Sequence, residues 1–138
     1  MYLDEFNKIP YFAQPGWDGS LWGPLLEKAW AKTNGNYENL DAGFPSEGFK
    51  FLTNAPTATY TIADLDADSL WAIVNDADSD NYMMSIWTDQ GPDGAGDTYE
   101  DPKYHLPYSH AYTILETREV TAVDGTIYRL MKVRNPWR

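Results

Sequence analysis

Hydrophobic residues recur with a helical period in one clear segment near the start of the chain. The apolar positions are Trp22, Leu25, Leu26, Ala29 and Trp30. Their spacing of i, i+3, i+4, i+7 and i+8 forms one stripe of a 3.6-residue period. Asp18 or Ser20 can cap the start of such a helix, and Asn34-Gly35 supplies a left-handed stop. The pattern predicts a helix whose apolar stripe faces a core and buries Trp22 and Trp30.

The rest of the chain reads as further short helices and then strands. Helices are predicted over residues 47–52 and 64–75, and strands over 57–62, 82–87, 111–120 and 126–134. Asp124-Gly125 is a hairpin turn between the last two strands. Because helices precede antiparallel strands, the expected class is α+β.

Composition narrows the possible functions. The 138 residues suit one domain, predicted over 1–138, and carry a net charge of −11. All of that excess lies in residues 51–102, which hold 11 acidic and no basic side chains. Because a chain this acidic repels phosphate backbones and anionic lipids, we expect it to bind neither nucleic acids nor membrane surfaces. No apolar run approaches a membrane span, and no signal peptide is visible.

Histidine is the scarcest candidate for proton transfer. The chain has two, His105 and His110, and no cysteine. His110 opens a predicted strand directly after the long loop 88–107, where a side chain can be held rigidly and still face a cleft. A hairpin turning at Asp124-Gly125 returns Asn135 to the neighbourhood of His110. Asn135 could then orient the imidazole, or it could merely turn the chain before proline.

Four blocks of this sequence, in order, resemble the calpain family of cysteine proteases. They are WGPLLEKAWAKTNGNY at 22–37, SEGF at 46–49, SHAY at 109–112 and RNPW at 134–137. The resemblance covers almost the whole chain and implies the second half of the family's catalytic core. The fold it implies is the β-rich sheet or barrel of papain-like proteases, preceded by helices.

By that resemblance, His110 is the catalytic histidine, Asn135 orients it, and Trp137 shields the active site. The implied parent is an intracellular, cytoplasmic endopeptidase that cleaves protein or peptide substrates by a Cys-His-Asn mechanism. Its nucleophile would come from a Cys-bearing subdomain of the same parent chain, so we expect this segment to be a piece of a longer protein and inactive alone. Two positions depart from the family pattern, since Ser109 and Arg138 stand where glycine is usual. We expect serine to be tolerated before His110.

Other interpretations remain open at this stage. The segment could be a non-catalytic calpain-like interaction module, or a calcium-dependent sugar-binding β-module, although burial of two tryptophans in the first helix would count against the latter. The loop side chains Asp89, Asp93, Asp97 and Glu100 fall at EF-hand-like positions, but Gly91 replaces a ligand. We therefore expect no metal site or cofactor in this segment, with calcium possible in the parent protein.

Overall fold

The computed structural model describes residues 12–40, 42–94, 96 and 99–136. They fall into two compact units along the chain, Met1–Pro56 and Thr57–Arg138. The interpretation of residues 1–138 as a single subdomain stays a prediction. Within the described residues, three α-helices precede an antiparallel sheet, so the predicted α+β class is confirmed.

The first unit holds α1 (Trp22–Thr33) and α2 (Pro45–Thr53). As predicted, α1 ends at the Asn34-Gly35 pair, where Gly35 has a φ of +100°. The predicted side-chain cap is wrong. Leu21 occupies the N-cap position of α1, whereas the Asp18 carboxylate accepts a hydrogen bond from the Ser20 amide in the preceding turn.

The prediction that the apolar stripe of α1 faces a core is also wrong. Trp22 is 70% exposed and Leu25 is 61% exposed. Trp30 packs against Phe51 on α2, with 4.6 Å between the two ring centroids. Two short helices bury only part of the apolar surface of each other, so most of the stripe stays open to solvent.

The second unit contains α3 (Ala67–Ser79), β1 (Met84–Trp87), β2 (Ala111–Thr121) and β3 (Ile127–Arg134). The sheet order is β1-β2-β3 with antiparallel pairing throughout. Its strands do not close into the barrel that the resemblance allowed. Tyr112 and Ile114 of β2 are each 8% exposed and belong to the buried part of this unit.

Helix α3 is fixed to the middle of β2 by polar contacts. The Thr117 amide and hydroxyl donate to Oδ2 of Asp78 at 2.8 and 2.9 Å. The same hydroxyl lies 3.3 Å from Oδ1 of Asn75. At the start of α3, the Asp66 carboxylate accepts from the Ser69 hydroxyl and from two backbone amides, and these bonds lower the pKa of Asp66.

The strand predicted over 57–62 is not formed. Residues 57–61 carry no strand, and Ile62–Asp64 is a 3-10 helix. Alternating β-branched residues favour a strand only where a neighbouring strand supplies hydrogen bonds, and this segment is not part of the sheet. The predicted hairpin is correct, since Gly125 has a φ of +87° in the turn between β2 and β3.

Candidate active site at the open end of the β2–β3 hairpin

His110 and Asn135 meet where the hairpin opens. His110 directly precedes β2, and Asn135 directly follows β3. Nε2 of His110 lies 2.8 Å from Oδ1 of Asn135. The predicted proximity of these two side chains is therefore confirmed, and their catalytic role stays a prediction. His110 is 6% exposed, so the hydrogen bond satisfies an imidazole that is largely removed from water.

The side-chain amide of Asn135 determines which tautomer of the His110 imidazole is present. Oδ1 of Asn135 is an acceptor, so Nε2 of His110 carries the hydrogen in this contact. In the neutral ring the lone pair then belongs to Nδ1. The arrangement favours a base whose proton exchange runs through Nδ1 and whose orientation is set through Nε2.

A bulge in β2 brings His110 onto the face that also carries Thr117. Val133 pairs with Ile114, and Met131 pairs with Thr117. Two residues of β3 therefore match three of β2, which is the two-to-one pattern of a β-bulge. In a regular strand, strict alternation would place the side chains of His110 and Thr117 on opposite faces of the sheet. The bulge thus lets β2 serve both the helix contact and the His110–Asn135 pair.

Tyr112 packs against the His110 ring. The two ring centroids are 4.8 Å apart with an interplanar angle of 83°, an edge-to-face contact. The hydroxyl of Tyr112 is buried and has no hydrogen-bond partner among the residues that the structure describes. Tyr112 therefore restricts the imidazole through its ring.

Thr88, which directly follows β1, fixes the backbone of His110. The His110 amide donates to the Thr88 hydroxyl at 3.0 Å, and that hydroxyl donates to the Pro107 carbonyl at 2.6 Å. The Thr88 amide in turn donates to the His110 carbonyl at 2.9 Å. Neither Thr88 nor Tyr112 was predicted from the sequence as part of the site. Tyr112 follows from strand alternation beside His110, whereas no pattern distinguishes Thr88 before the register is known.

The loop before His110 is folded by Asp101. Its carboxylate accepts from the Tyr104 and Lys103 amides at 2.8 Å each, and these bonds, that of Tyr104 first, lower the pKa of Asp101. Burial, and then the negative charge of Asp101, raise the pKa of Tyr108. His105 belongs to this same loop, where its amide donates to the Asp101 carbonyl. The side chain of His105 is exposed, so the structure shows a backbone contact in this loop and not the side-chain packing that the sequence indicated.

Ser109 stands where glycine is usual before His110, and the tolerance of serine there stays a prediction. Its φ is +50°, in the left-handed region that favours glycine. Its amide donates to the Asp89 carbonyl at 3.0 Å, which holds this conformation at the edge of the sheet. A glycine at this position would reach the same conformation with less strain.

Three further predictions concern Trp137, a metal site and a membrane span. Trp137 lies outside the described residues, as does Asp97 of the EF-hand-like loop. Within the part of the chain that is described, no three His, Cys, Asp or Glu side chains are grouped to hold a metal ion. No described helix has the length and apolar character needed to cross a bilayer.

A histidine held by an asparagine beside a sheet defines the kind of site that cysteine proteases use. A family model described as calpain family cysteine protease matches residues 3–138. The chain belongs to the calpain family of cysteine proteases, and the resemblance seen in the sequence is confirmed. Family membership argues against a sugar-binding module. The expected burial of two tryptophans in α1 does not, because Trp22 is exposed.

Individual relatives agree with this assignment. The chain is 33% identical to calpain-14 of Homo sapiens over 126 residues, which cover 91% of this chain and 17% of that protein. It is 32% identical to the calpain-2 catalytic subunit of Gallus gallus, over 85% of this chain and 16% of that protein. It is 31% identical to the calpain-1 catalytic subunit of Rattus norvegicus, over 91% of this chain and 17% of that protein. The chain thus spans about a sixth of the length of these curated relatives.

Proposed function

We propose that this chain supplies the histidine and asparagine of a calpain-like cysteine endopeptidase. The observation that supports this most strongly is the 2.8 Å contact between Nε2 of His110 and Oδ1 of Asn135, in a chain that belongs to a cysteine protease family. The parent protein would hydrolyse peptide bonds of protein or peptide substrates. Its nucleophile would come from a Cys-bearing subdomain, because these 138 residues contain no cysteine.

The chemistry divides between the two side chains. Nδ1 of His110 accepts the thiol proton, which leaves a thiolate beside an imidazolium and lowers the pKa of the thiol. The thiolate attacks the carbonyl carbon of the scissile bond, and the imidazolium then protonates the leaving amine. Water hydrolyses the resulting thioester, with His110 again taking a proton. Asn135 keeps the ring in one orientation through both half-reactions.

The same proposal extends to the environment of the site. Trp137 would exclude water from the His110–Asn135 hydrogen bond, which would strengthen that bond by lowering the local dielectric. Calcium would act in the parent protein and not through a site in this segment. The parent would work inside the cell, in the cytoplasm.

Complementation tests the proposal directly. The 138-residue chain is mixed with, or fused to, the Cys-bearing subdomain of its parent, and cleavage of a fluorogenic peptide is followed with and without calcium. We expect no turnover from the chain alone and turnover from the combination. A folded combination that still fails to cleave would favour the non-catalytic interaction module. Turnover by the isolated chain would contradict the Cys-His-Asn mechanism, because no thiol is present.

A further inference from the structure

We propose that Thr88 is a positioning residue for His110, whose hydroxyl fixes the backbone from which the imidazole reaches Asn135. The consequence for catalysis rests on the function proposed above. The structural part does not, because it concerns the orientation of a ring inside this chain. Among the described residues, the hydrogen bonds of Thr88 go to the backbone of His110 and of Pro107, so we expect Thr88 to act through His110.

The geometry replaces an ordinary sheet contact with a side-chain contact. Trp87 pairs with Ala111, so the register of β1 and β2 places Thr88 opposite His110. The Thr88 amide donates to the His110 carbonyl, as an antiparallel ladder requires. In the reciprocal direction the His110 amide donates to the Thr88 hydroxyl, at 3.0 Å, where a regular ladder would use the Thr88 carbonyl. His110 is thus held at an offset that a regular strand does not provide.

The hydroxyl also fixes the chain that leads into His110. It donates to the Pro107 carbonyl at 2.6 Å, and Pro107 is buried. Between Pro107 and His110 the backbone passes through Ser109 with a φ of +50°. The segment is therefore bent, and one hydroxyl bonds both ends of the bend. This requires a group that donates and accepts at once, which serine provides and valine does not.

The position of the His110 backbone controls the distance between the imidazole and the Asn135 side chain. The imidazole lies at the end of a side chain, so a small rotation of the His110 backbone displaces Nε2 from Oδ1 of Asn135. Reaction rates fall steeply when reacting groups shift by about 1 Å. Loss of the Thr88 hydroxyl should therefore lower kcat of the complemented enzyme about ten-fold. KM should change little, because the hydrogen bonds of Thr88 seen among the described residues position His110.

The chain offers a matched control for the loss of a threonine hydroxyl. Thr117 lies on β2, and its hydroxyl likewise bonds two partners, Asp78 and Asn75 on α3. Thr117→Val should weaken the fold without disturbing the His110 ring, which separates general destabilisation from positioning. Thr88→Ser keeps the hydroxyl and should behave as wild type.

The test uses the ring nitrogens of the 138-residue chain, followed by ¹⁵N NMR with His105 as internal reference. We expect the Nε2–H tautomer of His110 to dominate in wild type, in Thr88→Ser and in Thr117→Val, and to lose that dominance in Thr88→Val. Thr88→Ala provides the same loss without a branched side chain if the valine variant does not fold. An unchanged His110 signature in folded Thr88→Val or Thr88→Ala would overturn the proposal, as would an equal change in Thr117→Val.

Activity of the complemented enzyme is the second readout. The expected result is a lower kcat with unchanged KM in Thr88→Val, and restoration in Thr88→Ser. If the wild-type chain combined with the Cys-bearing subdomain has no activity, the proposed function is refuted. The role of Thr88 is then still decided by the ring-nitrogen signals of His110. A Thr88→Val variant with wild-type kcat in an active combination would refute the catalytic consequence of positioning.

Discussion

Ser109 occupies a left-handed backbone conformation, with a φ of +50°, directly before His110. This conformation costs a residue with a Cβ about 1–2 kcal/mol relative to glycine. Glycine in turn loses more backbone freedom on folding, which costs about 0.5–1 kcal/mol. The difference lies between about 0 and 1.5 kcal/mol, so Ser109→Gly should stabilise the chain by about 0.75 kcal/mol. The substitution keeps the amide of residue 109 and therefore its bond to the Asp89 carbonyl.

The assay is urea unfolding followed by circular dichroism, with an unchanged slope and a raised midpoint as the expected result. Ser85→Gly is the control, since Ser85 lies in regular β1 pairing with Thr113. There glycine gains no relief of strain and should destabilise by about 0.5–1 kcal/mol. If Ser109→Gly lowers the midpoint as Ser85→Gly does, the reasoning about strain before His110 is wrong.

Three further outcomes are expected. Thr117→Val should destabilise the chain by about 1–3 kcal/mol in urea unfolding, because it removes the hydroxyl that bonds α3 and leaves Asp78 with the amide contact alone. Asp66→Ala should lower stability at neutral pH, and its difference from wild type should shrink as pH falls below about 4. The sign follows because the bonds from Ser69 depress the folded-state pKa of Asp66, so its contribution is present above the unfolded-state value and lost as pH falls through the folded-state value. Asp66→Asn keeps a capping side chain and should not show that pH dependence. Asn135→Ala should reduce turnover of the complemented enzyme less than loss of His110 does, since it removes orientation and keeps the proton carrier.

Features set by local sequence were predictable. The helical period and the Asn34-Gly35 stop gave the existence and end of α1. The turn at Asp124-Gly125 gave the hairpin, and the hairpin gave the meeting of His110 with Asn135. In each case residues within one element or one turn contain the whole signal.

Features set by distant partners were not predictable. Residues 57–62 have strand composition, yet no strand in the described part of the chain pairs with them. The β-bulge and the Thr88 contacts depend on the register between strands, which alternation of apolar residues does not define to one residue. Burial of the α1 stripe failed as a prediction because periodicity shows which side chains share a face, and not what covers that face.

The central claim is that His110 carries the proton in a thiol-dependent hydrolysis, and one comparison tests it most directly. His110→Ala and His105→Ala are each combined with the Cys-bearing subdomain of the parent, and kcat/KM is measured on the same peptide. We predict that His110→Ala loses activity by about 10³-fold or more, while His105→Ala stays near wild type. Wild-type turnover in His110→Ala would contradict the account.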